Sequence, residues 1–157
     1  MDLTTLLPVV QAYLRKGALP DVSRWNPAQP FAVLPLAQGE YNLNYVVEQA
    51  GRRWVLRVNM GSQIQRDDQI VYEYNALCLL QASGVTPRPY FVDGSRARLP
   101  YGVLGMAYLP GKALDYRRDL EAAARLFARV HSVQVTGDNP LIREKNPLTM
   151  TYEECAR

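Results

Sequence analysis

Arg57 and Glu73 are the two residues of this 157-residue chain whose chemistry least suits their places in the sequence. In the stretch RRWVLRVN, Arg52 to Asn59, strand alternation puts Trp54, Leu56 and Val58 on one face. Val55 and Arg57 are left together on the other. An unpaired buried guanidinium is costly, so Arg57 either reaches solvent at a sheet edge or meets an acidic group on the protein or on a ligand. Glu73 lies in QIVYEYNALCLLQAS, where a helical turn of about 100° per residue projects it between Leu77 and Leu80 and close to Ile70, inside the apolar stripe. An acid on the helix and a base on the preceding strand solve each other's burial problem. The pair would also hold the guanidinium in a fixed direction.

The elements that must position this pair follow from the rest of the chain. With 48% hydrophobic and 21% charged residues, the composition suits one respectable globular core, so one domain or one and a half is expected. Lysine and arginine total 18 against 15 acids and are scattered, which argues against a nucleic-acid-binding face; a net charge of +3 suits a small anionic ligand equally well. Cys78 and Cys155 lie far apart, as expected of reduced thiols in a cytoplasmic protein, and no metal-ligand spacing is present. The N-terminal MDLTTLLPVVQAYLRKGALP lacks a basic start and a small-residue cleavage site and contains Pro8, so neither a signal peptide nor a membrane span is expected. It reads as a short amphipathic helix ending near Gly17.

FAVLPLAQ and LNYVVEQ look like strands joined by GEYN, and AGRR turns the second into the Arg57 strand, giving a three-stranded antiparallel meander. Asp67 or Asp68 can cap the Glu73 helix, and Gly84 is its expected stop. RPYFVDG and GVLGMAYL are strand-like again. From about Asp119 the chain turns helical, with Leu120, Ala124, Phe127 and His131 on one side. His131, the only histidine, ends an apolar stripe and reads as structural. TYEE, Thr151 to Glu154, has the form of a capping box, which announces a helix with only Cys155, Ala156 and Arg157 left to build it.

In their order, these pieces resemble the N-terminal lobe of the protein-kinase-like aminoglycoside phosphotransferases, a family related to the choline kinases. GEYNLNYVV is similar to the family's Gly-x-x-Asn-x-x-Tyr nucleotide loop, with Gly39, Asn42 and Tyr45 in register. VLR matches its strand cation at Arg57, and YEYNALCLL its helix acid at Glu73. LGMAYLPGKAL looks like its hinge and LFARVHSV like the helix that opens its second lobe. The resemblance implies that Arg57, fixed by Glu73, holds the α and β phosphates of ATP and that Val55 lies against the adenine. It further implies that the Ala107 carbonyl and Leu109 amide meet the adenine edge, with Met106 guarding the pocket behind. Gly39 is expected to adopt positive φ and to bring backbone N–H groups near phosphate.

Gln38 stands before Gly39 where the family often has a second glycine, so close backbone approach there is a departure; Ala107 stands where relatives often carry an acid, which leaves the hinge assignment intact because backbone groups meet the adenine there. The family's His-x-Asp-x-x-x-x-Asn catalytic loop, with its base and magnesium ligand, is absent from these residues; Asp138-Asn139 lies in an Asn-Pro turn at the wrong spacing. No catalytic residue and no metal ligand are therefore assigned. The expectation is an α+β chain: residues 1–110 a kinase-like N-lobe with a five-stranded antiparallel sheet and a packed helix, and 111–157 the hinge exit and first helices of an incomplete C-lobe. Its parent would use ATP and Mg2+ to phosphorylate a hydroxyl of a small molecule, while the fragment alone would be inactive and prone to self-association. Two other readings stay open: a non-catalytic nucleotide-binding module complete as it stands, and a plain α+β interaction domain.

Overall fold

The computed structural model describes residues 2–17, 19, 22, 25–62, 64–142 and 146. Helix α1 (Leu3–Arg15) starts where the Asp2 carboxylate accepts from the Thr5 amide, and it runs through Pro8. Strands β1 (Ala32–Gln38), β2 (Asn42–Gln49) and β3 (Arg52–Asn59) form the expected meander. Helix α2 (Gln69–Leu80) follows and ends through a short 3-10 turn at Gly84, the expected stop, which has φ 67°. Strands β4 (Pro89–Asp93) and β5 (Gly102–Ala107) complete one antiparallel sheet of order β1-β2-β3-β5-β4. Helix α3 (Leu120–His131) comes last. The fold is α+β, and β3 lies at the centre of the sheet.

Alternation along the strands gives the sheet two unlike faces. Leu43, Tyr45 and Val47 of β2 join Trp54, Leu56 and Val58 of β3 in the larger core, which α1 closes with Leu6, Val10, Tyr13 and Leu14. On the opposite face Val55 packs with Leu104, Met106 and Ile70 of α2. Gly102 makes that second contact possible, because a Cβ there would come within 2.5 Å of Ile70 Cγ2. Close approach of α2 to β5 brings Glu73 within reach of β3.

Two local expectations need correction. Asp68 does sit at the α2 N-cap, yet its carboxylate accepts from the Arg66 guanidinium at 2.7 Å and makes no capping bond. A charged donor two residues away outcompetes the backbone amides. His131 ends α3 as expected but is exposed, its ring 6.3 Å from Phe127, and α3 has no buried residue, so the helix contributes no core contact. The capping box at Thr151 to Glu154 lies outside the described residues.

Candidate anion-binding site

The central position of β3 removes one answer to the Arg57 question: the side chain does not escape at a sheet edge. Arg57 Nη1 donates to Glu73 Oε2 at 2.7 Å, and the two side chains are 29% and 20% exposed. That is exposed enough to meet a ligand and buried enough to need the partner. Glu73 Oε1 also accepts from Gln69 Nε2 at 3.1 Å, so the carboxylate is itself held by its own helix. Arg57 Nε donates to Asn44 Oδ1 at 3.0 Å from the neighbouring strand.

This anchored cation opens on a cavity of about 450 Å3, inside the range of about 300–1,000 Å3 that small-molecule sites span. Val55 and Met106 form its apolar floor, and Leu36 of β1 and Leu109 flank it. Ala107 and Tyr108 line the edge where β5 ends and the chain leaves the sheet. Lys112 adds a second cation. The lining therefore joins several apolar side chains to two cations, and none of its side chains is a carboxylate. Such a space suits a ligand with an apolar ring and an anionic tail.

Of the residues singled out in the sequence, the structure brings Val55, Arg57, Met106, Ala107 and Leu109 to this one cavity. Glu73 stands behind it, holding Arg57. Gly39 and Asn42 do not line it. Asn42 Oδ1 accepts from Asn59 Nδ2 at 3.1 Å across the β2–β3 pair, a bond that closes the end of the hairpin. Gly39 does not have the expected positive φ. Its amide donates to the Asn42 carbonyl at 2.8 Å, closing a turn that needs no left-handed residue; the left-handed pair is Ala50 and Gly51, in the tight turn between β2 and β3. A Cβ on Gly39 would meet only the Asn42 carbonyl oxygen, at 3.7 Å. Tyr45 points to the other face, where its hydroxyl donates to the Leu3 carbonyl at 2.9 Å and burial pushes its pKa up to about 12.

Sequence reasoning missed Asn44, Lys112 and Tyr108, over whose ring the Arg53 guanidinium sits at 4.7 Å. Asn44 stands out only once the hairpin register sets it opposite Arg57. Among the described residues no group of three His, Cys, Asp or Glu side chains could hold a metal ion, and no helix is long and apolar enough to cross a membrane.

The model of the phosphotransferase enzyme family matches residues 32–155, most of the chain and all of the cavity. A solved structure from Ralstonia eutropha JMP134, of a protein provisionally named an aminoglycoside phosphotransferase, is similar at 18% identity with a TM-score of 0.49. The match covers 69% of this chain and 29% of that one. No curated protein matches.

Proposed function

Because this chain belongs to the phosphotransferase enzyme family, we propose that it is the nucleotide-binding part of an ATP-dependent phosphotransferase acting on a hydroxyl of a small molecule. The observation that carries the reading is the cavity that joins apolar side chains to an arginine held from two sides. The adenine would lie between Leu36 and the Val55–Met106 floor, with its polar edge toward the backbone at residues 107–109. Arg57 would take phosphate oxygens, and Lys112 would add positive potential at the mouth of the cavity.

The donor set fits a nucleotide and does not fit a magnesium ion, since the lining carries no carboxylate. What the chain supplies is binding and orientation: the phosphates are held by a cation whose own direction is fixed before the ligand arrives. The base that would accept the acceptor's proton, and the acceptor site itself, would come from the C-terminal lobe of a longer parent protein.

The test measures nucleotide binding and phosphotransfer by this chain and by a longer chain that includes the C-terminal half. The 157-residue chain should bind ATP weakly and transfer no phosphoryl group, and the longer one should do both. Arg57→Ala should weaken ATP binding by about 10- to 100-fold, the range of a lost charge-assisted contact. A longer chain indifferent to Arg57→Ala would refute the role given to this residue. Phosphotransfer by the short chain would show that the catalytic machinery is already present.

A further inference from the structure

The cation of the site is an arginine, and the hydrogen bonds around it use what only a guanidinium has. Nε donates to Asn44 Oδ1 and Nη1 to Glu73 Oε2, two acceptors on different elements. One acceptor would fix a direction; two fix the plane. Asn44 lies directly opposite Arg57 in the β2–β3 register, and its amide nitrogen donates in turn to the Ala37 carbonyl at 3.2 Å. That carbonyl sits where β1 shifts register between Pro35 and Ala37. With its NH2 committed to a carbonyl, Asn44 must present its oxygen to Arg57. Arg57 Nη2 takes no partner among the described residues, and Asn44 and Arg57 both line the cavity.

Resting on the nucleotide reading above, we infer that Asn44 is a positioning residue: it sets the plane of the Arg57 guanidinium so that the Nη1–Nη2 edge meets phosphate oxygens as a two-pronged donor. This also explains why arginine serves at this position. A lysine has no Nε–H to give Asn44 and no planar fork to present, so Asn44 has nothing to orient. The β1 bulge then matters to the cation as well, because it places the carbonyl that orients Asn44.

The test compares affinities of the full 157-residue chain for ATP and for adenosine in the wild type, Asn44→Ala, Arg57→Lys and the double variant. Asn44→Ala should weaken ATP about five- to tenfold and leave adenosine within about twofold, since only ATP carries the phosphates. In the Arg57→Lys background, adding Asn44→Ala should change ATP affinity by less than about twofold. The NMR signal of the Arg57 Nε–H should exchange slowly in the wild type and rapidly in Asn44→Ala. If Asn44→Ala does not fold, Asn44→Thr, which suits a strand but is too short to reach Nε, takes its place.

An equal loss for ATP and adenosine would make Asn44 a packing residue and overturn the proposal. So would a loss of the same size in the lysine background. If the wild type prefers ATP and Asn44→Ala keeps that preference, the positioning role alone fails. If the wild type binds ATP no better than adenosine, the phosphate reading of the cavity fails and the inference falls with it.

Discussion

On the α1 face of the sheet, Leu43, Tyr45, Val47, Leu56 and Val58 are closed to solvent, and the buried Tyr45 hydroxyl is satisfied by the Leu3 carbonyl. On the α2 face the same strands carry Asn42, Asn44, Arg57 and Asn59, joined by side-chain hydrogen bonds to one another and to Glu73, beside an open cavity. Both faces come from one alternation. The dry face contributes stability through buried apolar area, and that rigidity lets the other face hold a charge in one geometry at the edge of a cavity. The comparison teaches where function can be placed in a small sheet: on the face whose helix leaves part of it uncovered.

The division can be broken most visibly at Leu56, which is fully buried in the core that α1 closes. Leu56→Ala should cost about 2–5 kcal/mol in denaturant unfolding, as large-to-small core changes do. At temperatures where the variant remains folded, its ATP affinity should stay close to wild type. A large affinity loss there would mean that the faces are not independent.

Alkaline pH probes the same face through its tyrosines. Burial first, and the charge of Asp2 second, raise Tyr45 to about 12. Tyr13 is raised further, by burial and then by Asp93, whose carboxylate accepts its hydroxyl. A group whose folded pKa is raised contributes stability that is complete below its unfolded value, about 10, and is lost as pH rises through the folded value. Unfolding free energy should therefore fall between about pH 10 and about 12. Tyr45→Phe should lessen that fall. An unchanged pH profile in Tyr45→Phe would remove the hydroxyl from the account.

The smallest stability effect is expected on the site face. Glu73→Ala removes a half-buried ion pair and should cost about 1 kcal/mol, while ATP affinity should drop about three- to tenfold because the guanidinium keeps only Asn44. The sharpening lies in the ratio: Leu56→Ala should move stability far more than affinity, and Glu73→Ala the reverse.

How much of this was legible in the sequence follows from what each inference needed. The Arg57–Glu73 contact could be read because each is a charge set among apolar neighbours by local periodicity, Arg57 beside Val55 and Glu73 between Leu77, Leu80 and Ile70. The five strands, α2 and its stop at Gly84 were legible for the same reason, since alternation, helical period and turn residues are local. Asn44 was not, because an asparagine in a strand is unexceptional until the register sets it opposite Arg57. Nor did the sequence say that α1 would cover the far face; an amphipathic helix announces a stripe and not its partner. Gly39 misled because a glycine in a turn suggests left-handed backbone, whereas this link closes through the Gly39–Asn42 bond without it. His131 is exposed because the whole apolar side of α3 is open, with Leu120 and Phe127 exposed as the reading of an incomplete second lobe expected.

The most direct test of the central claim, that the α2 face holds a nucleotide by an anchored arginine, is mapping of backbone and Arg57 side-chain NMR shifts as ATP is added to the 157-residue chain. The account predicts saturable shifts at Leu36, Ala37, Val55, Arg57 and residues 106–112, with Tyr13, Val10 and the rest of α1 unmoved, and loss of the pattern in Arg57→Ala. Shifts concentrated on the α1 face, or a cavity pattern that persists unchanged without the Arg57 guanidinium, would contradict it.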